Sequence, residues 1–206
     1  MESANRYYRE SSTLALFDFD GTITKKDTLF AFIRFTKGRS RFFWGMIRLL
    51  PWLFINRIGI ISNAKAKEKI LGYFFKKMNY ATFKRHGEHF CNERLQSLLR
   101  TDAIEKIQWH LSQYHRVIIV SASVREWISP WAEQMGIEWI TTEMEVKDNR
   151  LTGKFSTPNC NGEEKINRIR QFLSPEDYQL IYAYGDTHGD KPMLAMAQKS
   201  YYRHFD

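Results

Sequence analysis

The chain has little of what builds a disulfide scaffold or a membrane span. Its 206 residues include two cysteines, Cys91 and Cys160, far apart and in no C-x-x-C spacing. That excludes a disulfide framework and a zinc ribbon, and points to a reducing, cytoplasmic compartment. No apolar run reaches the roughly 20 uncharged residues that a spanning helix needs. The strongest candidate, Phe42 to Ile61, is interrupted by Arg48, Pro51, Asn56 and Arg57. Met1 to Ser12 is polar, with Glu2, Arg6, Arg9 and Glu10, and lacks the apolar centre of a signal peptide. Internal repeats and low-complexity tracts are absent. What remains is a globular composition, 43% hydrophobic and 26% charged, sufficient for one packed domain or a domain carrying an insertion. Acidic residues are outnumbered, 23 against 31 Lys and Arg, giving a net charge of +8. That balance favours anionic partners: phosphorylated metabolites, acidic lipid head groups or nucleic acid.

The stretch that carries chemistry comes early. Asp18-Phe19-Asp20-Gly21-Thr22 follows the apolar run Leu14-Ala15-Leu16-Phe17. In an extended strand residues i and i+2 share a face, so Asp18 and Asp20 point into one pocket beside a Gly-Thr turn. A metal and phosphate site is one reading; an ordinary polar strand end is the other. From about Lys25 to Arg100 β-alternation disappears, and apolar residues recur at helical spacing, as in Ile70, Leu71, Phe74 and Phe75. From Thr101 helices alternate with short apolar strands. Asp102 with Glu105 resembles a capping box opening one helix. Val117 to Val120 is a strand whose β-branched continuity suits burial on both faces, and it ends at Ser121-Ala122-Ser123. Gly136 closes the following helix. Residues 143–146 and 151–155 form a hairpin arm, and Asn161 opens a helix with Lys165 in its first turns. Leu180 to Tyr184 runs into Gly185-Asp186, a helix follows from about Asp190, and Tyr201 to Phe205 is a last strand. This alternation predicts an α/β protein with a parallel sheet and right-handed crossovers. In such sheets ligands bind outside the carboxyl ends of the strands, where Asp18, Ser121 and Asp186 all fall.

With those residues in place, the chain resembles the haloacid dehalogenase superfamily, and within it the phosphoserine-phosphatase-like branch, subfamily IB. The resemblance covers nearly the whole chain and rests on four motifs in order: Asp18 to Thr22, Ser121 after its strand, Lys165 within Asn159 to Lys165, and Gly185-Asp186 with Asp190. It implies a Rossmann-like parallel core, residues 1–24 and 101–206, with a helical cap inserted at 25–100. It also implies Mg2+-dependent hydrolysis of a phosphomonoester through an aspartyl-phosphate. In that scheme Asp18 is the nucleophile, and Asp20 is general acid and then general base. Asp18, the backbone carbonyl of Asp20, and Asp186 hold the cation. Ser121 and Lys165 bind phosphoryl oxygens, the backbone N–H groups of Phe19 and Ala122 complete the cradle with Thr22 counted among the phosphate-binding residues, and Asp190 orients the lysine or supports the metal shell. Thr22 is further expected to steady Asp20. His188 is read as a site-edge residue.

Asp27 stands where phosphoserine phosphatases carry a Glu that meets the substrate amine; it is one methylene shorter and is the candidate for substrate selection. The leading function is hydrolysis of a small phosphorylated metabolite. A second keeps the chemistry and takes a membrane lipid phosphate such as phosphatidylglycerophosphate, with the aromatic, basic stretch Phe42 to Ile61 in peripheral membrane contact; the same stretch also suits the packed interior of a helical cap. A third is a non-catalytic basic module. The intact set of Asp18, Asp20, Ser121, Lys165, Asp186 and Asp190 counts against it, so no nucleic-acid partner is expected. Relatives usually continue past Tyr201 to Asp206, which leaves the last sheet edge expected to be open.

Overall fold

The computed structural model describes residues 11–205, so the polar lead-in, Met1 to Ser12, lies outside the described residues except for its last two. Five strands, β1 (Thr13–Phe17), β2 (Arg116–Val124), β3 (Glu138–Thr142), β6 (Leu180–Gly185) and β7 (Lys199–Tyr202), form an all-parallel sheet in the order β3-β2-β1-β6-β7. A separate antiparallel hairpin pairs β4 (Met144–Lys147) with β5 (Arg150–Phe155). The strands carry continuous apolar runs because both faces of the sheet are covered. Ala15, Phe17, Val117, Ile119, Tyr182 and Tyr184 pack on one face, and Leu14, Leu16, Ile118, Val120, Ile181 and Ala183 on the other.

The second face is closed by α7 (Glu163–Phe172), through Ile169, and α8 (Lys191–Met196), through Met193 and Leu194. The first is closed by α5 (Thr101–Ser112) and α6 (Arg125–Met135). Four helices occupy the stretch between β1 and α5: α1 (Thr28–Lys37), α2 (Arg39–Arg57), α3 (Asn63–Phe75) and α4 (Tyr80–Glu93). They share the core of the first face. Phe32 of α1 stacks on Trp127 of α6 at 4.5 Å between ring centroids and makes edge contacts with Phe83 and Phe90 of α4. The hairpin closes against α3, where Glu68 accepts from the backbone N–H of Phe155 at 2.8 Å. Among the described residues no helix is long and apolar enough to cross a membrane.

Several local expectations are corrected. β2 does not stop at Val120 but runs through Ser121-Ala122-Ser123 to Val124. Asp102 lies inside α5, whose cap is the backbone of Arg100, and its carboxylate accepts from the N–H of Ala103. α7 is capped by Gly162 at φ +65°, one residue after Asn161. A capping box does form, between Thr187 and Asp190. Gly136 ends α6 in the left-handed conformation, as expected.

Candidate active site

The chain order of the sheet reverses between β1 and β6, which opens a crevice at their carboxyl ends. Phe17 is in register with Tyr184 on one side and Ile119 on the other. The N–H of Asp18 donates to the Tyr184 carbonyl at 2.9 Å, so Asp18 and Asp186 leave adjacent strands at the same level. Gly21, at φ +87°, lets the turn after β1 close over Asp186; a Cβ there would collide with the Asp186 carboxylate. The Thr22 hydroxyl donates to Asp186 Oδ1 at 2.9 Å. It therefore holds Asp186, and not Asp20 as the sequence suggested.

Asp20 is fixed from elsewhere. Its Oδ1 accepts from the N–H of Thr28 at 2.7 Å and its Oδ2 from the hydroxyl of Ser123. Thr28 is itself anchored by the Trp127 indole N–H at 3.0 Å. Ser123 reaches Asp20 because β2 is irregular: Ser121 faces Thr141 but Val124 faces Thr142, leaving Ala122 and Ser123 as extra residues on β2. Such bulges re-aim side chains beside sites. The Ser121 hydroxyl lies in the same bend and accepts from the N–H of Ser123 at 3.0 Å. Sequence reasoning singled out Ser121 and missed Ser123, although the pair repeats the i, i+2 spacing of Asp18 and Asp20.

Lys165 enters from α7 and is 1% exposed. Its ammonium donates to Asp18 Oδ1 at 2.5 Å, to Asp190 Oδ1 at 2.6 Å and to the Val120 carbonyl at 2.6 Å, which uses all three of its protons. The start of α7 is tied to the loop after β6 by the Gly162 N–H donating to Gly189 at 2.9 Å. Asp190 Oδ2 accepts from the N–H groups of Asp186 and Thr187 at 3.2 and 2.8 Å and from the Thr187 hydroxyl at 2.7 Å. Both Asp190 oxygens are thus engaged. Burial works against the Lys165 ammonium, but Asp18 and Asp190 outweigh it and hold its pKa above the ordinary value. Burial pushes Asp18 up to about 7 against the pull of Lys165, with Asp190 and Asp20 adding to the rise. Burial also acts upward on Asp190, but Lys165 and Thr187 hold it below the usual range.

Carboxylate oxygens of Asp18, Asp186 and Asp190 lie within 4.8 Å of one another. An all-oxygen, acidic set of this kind fits a hard cation such as Mg2+. Since Asp190 is spent on Lys165 and the loop, Asp18 and Asp186 are the carboxylates suited to face the ion. The Asp20 carboxylate is committed to Thr28 and Ser123, so only its backbone carbonyl is suited to join them.

The mouth of the crevice is a cavity of about 200 Å³ between the helices and the core, lined by Asp27, Phe30, Leu53, Asn56, Lys67 and Asn161 among others. Asp27 caps α1, accepting from the N–H of Leu29 at 2.8 Å. Burial and the neighbouring Asp20 raise its pKa while Lys67 opposes, a tendency that the residue's remaining solvent exposure moderates. Lys67 Nζ lies 3.4 Å from the Ala122 carbonyl, which brings α3 to the bulge of β2. His188 is exposed.

A family model described as haloacid dehalogenase-like hydrolase matches residues 15–195. Protein CicA of Caulobacter vibrioides is 34% identical over 194 residues, covering 93% of this chain and 86% of that protein. A protein of unknown function from Bordetella pertussis Tohama I shares the fold at TM-score 0.80 and 24% identity, covering 92% of this chain and 89% of that one. A substrate-bound phosphoserine phosphatase complex does so at TM-score 0.66 and 18% identity, covering 92% and 84%. The two structures speak to fold alone, whereas the family match spans most of the chain and includes every motif residue from Asp18 to Asp190: the chain belongs to the haloacid dehalogenase-like hydrolases.

Proposed function

We propose that the protein is a Mg2+-dependent phosphomonoesterase that acts on a small phosphorylated substrate through an aspartyl-phosphate. The observation that carries this reading is the buried Lys165 bridging Asp18 and Asp190 at the carboxyl end of β1. Lys165 engages Oδ1 of Asp18, and Oδ2 is the oxygen that attacks phosphorus. The bond from phosphorus to the leaving oxygen breaks, and that oxygen takes a proton from Asp20. Asp20, held by Thr28 and Ser123, then takes a proton from the water that attacks the aspartyl-phosphate, releasing inorganic phosphate and restoring Asp18. The Ser121 hydroxyl and the Ala122 N–H bind phosphoryl oxygens and the Lys165 ammonium, its protons already accepted, acts on them through its charge, where positioning and charge stabilisation supply most of the acceleration. Thr22 acts through Asp186. Mg2+, when held by Asp18, Asp186 and the Asp20 carbonyl, offsets the repulsion between a phosphate dianion and the carboxylates.

In this reading residues 1–24 and 101–206 are the catalytic core, and 25–100 are the cap that selects the substrate through Asp27 at the mouth. Two buried, unpaired cysteines suit the cytoplasm. A lipid phosphate is the second reading, favoured by the apolar side chains that α2 exposes while its inner face supplies Leu53 and Asn56 to the mouth. A panel of phosphorylated metabolites that includes lysophosphatidic acid and phosphatidylglycerophosphate separates the two. The chemistry is tested with p-nitrophenyl phosphate: turnover is expected only with Mg2+, and Asp18→Asn is expected to abolish it. Turnover that survives both EDTA and that substitution overturns the mechanism.

A further inference from the structure

We propose that α2 is an interfacial helix that docks this protein on an anionic lipid bilayer. At about 100° per residue, its 19 residues divide into two apolar arcs. One, with Gly45, Met46, Leu49 and Leu53, packs on the protein. The other carries Phe43, Trp44, Ile47, Leu50 and Phe54, each between 39% and 66% exposed. Phe43, Ile47, Leu50 and Phe54 recur at the i, i+4, i+7, i+11 spacing of one face. Nothing in the described chain covers this stripe, and Ile58 and Ile60 extend its exposed apolar surface past the helix end. Contiguous exposed apolar surface on this scale marks an interaction site.

Charge selects the occupant. On the helical wheel Arg41 and Arg48 lie at one border of the exposed arc, and Arg39 and Arg57 at the other. From Thr28 to Lys67 the chain has eight Lys and Arg and no acid. A second copy seated face to face would set these arginines against one another with no carboxylate between them. The segment Met1 to Glu10 has no apolar run to match the stripe. A bilayer with acidic head groups meets both features, taking the aromatic and aliphatic side chains at the acyl boundary and the arginines at the phosphates.

The adjoining flank agrees. Leu49 and Trp52 open there into an apolar groove of about 670 Å³ that includes Tyr73 and is edged by Lys65, Lys69 and Lys154. Lys69 Nζ sits 4.4 Å over the Trp52 ring. The acid in this groove, Glu68, is occupied by Phe155. Tryptophan and lysine side by side are interfacial anchors. The helix, with four arginines, is too charged to span, so the contact is peripheral, and it is independent of which substrate the site takes.

The test is flotation of the whole protein with phosphatidylcholine vesicles, with and without about a third phosphatidylglycerol. Binding is expected to be at least about tenfold tighter to the anionic vesicles and to weaken with added salt. A Phe43→Ser, Phe54→Ser variant, altered only at exposed positions, is expected to lose about tenfold or more of that binding. Its circular dichroism should match the parent whether or not the phosphatase reading holds, and p-nitrophenyl phosphate turnover reports that reading separately. Parent protein that stays off anionic vesicles overturns the proposal, as does unchanged binding by the folded double variant. A dimer in light scattering that this variant dissociates, without vesicle binding by the parent, assigns the stripe to a second copy instead.

Discussion

Lys165 decides how the carboxylates of the site divide their work. A buried ammonium persists only where its charge is compensated and its protons are accepted, and Asp18, Asp190 and the Val120 carbonyl do both. The price falls unequally on the two acids. Asp190, with its Oδ2 further stabilised by Thr187, is held anionic, whereas burial drives Asp18 upward. Asp20 lies outside this cluster and is controlled by a different pair, the Thr28 N–H and the Ser123 hydroxyl. Without the hydroxyl, one Asp20 oxygen keeps its partner and the other is released, so the carboxyl turns away from the proton it must move. Ser123→Ala is expected to lower kcat about tenfold with little change in KM, the signature of a positioning residue in proton transfer. Ser123→Thr keeps a hydroxyl and is expected to restore most of the rate. Steady-state kinetics of both variants check this; equal losses, or a loss confined to KM, count against it.

Elements explain what the sequence made legible and what it hid. Continuous apolar strands separated by helices are visible as composition, and so the parallel sheet and the motif positions at its carboxyl edge were readable. The bulge of β2 was not, because Ser121-Ala122-Ser123 has the composition of a turn and nothing in it announces two extra residues within a strand. Spacing alone also misled at Asp102, since the backbone of Arg100 starts α5 early enough to place that carboxylate inside the first turn. α2 is apolar around most of its circumference, so periodicity offered no way to tell its packed arc from its open one.

The contact between α4 and α6 gives a case where local preference and packing predict opposite signs. Pro130 has no N–H to return to the Glu126 carbonyl, and Gly87 of α4 lies directly against that carbonyl, where a Cβ would collide with it. Helix propensity alone says Gly87→Ala gains about 1 kcal/mol. Overpacking of backbone on backbone costs typically ~1–3 kcal/mol and cannot be relieved by turning a side chain. The substitution is therefore expected to destabilise, seen as a lower urea midpoint at unchanged m-value. A raised midpoint contradicts the close approach of the two helices.

Across the whole molecule charge is segregated. The chain carries +8, yet its crevice gathers the carboxylates of Asp18, Asp186 and Asp190 within 4.8 Å of one another, with Asp20 close by and the buried Lys165 bridging Asp18 and Asp190. Like charges at this spacing work against the folded state, and a cation bound there relieves them only in the folded state, because the carboxylates come together only on folding. Binding to the native form alone stabilises by RT ln(1 + [L]/Kd), about 2.7 kcal/mol at a hundredfold excess over Kd. For a chain of this size that corresponds to a rise in Tm of roughly 5–10 °C. Mg2+ is expected to produce such a rise, and NaCl at matched ionic strength is not. Asp186→Asn keeps an oxygen for the Thr22 hydroxyl while removing one negative charge. It is expected to abolish the Mg2+ response. A variant that still gains several degrees from Mg2+ moves the cation away from the carboxyl ends of β1 and β6, and with it the electrostatic reason for gathering these carboxylates there.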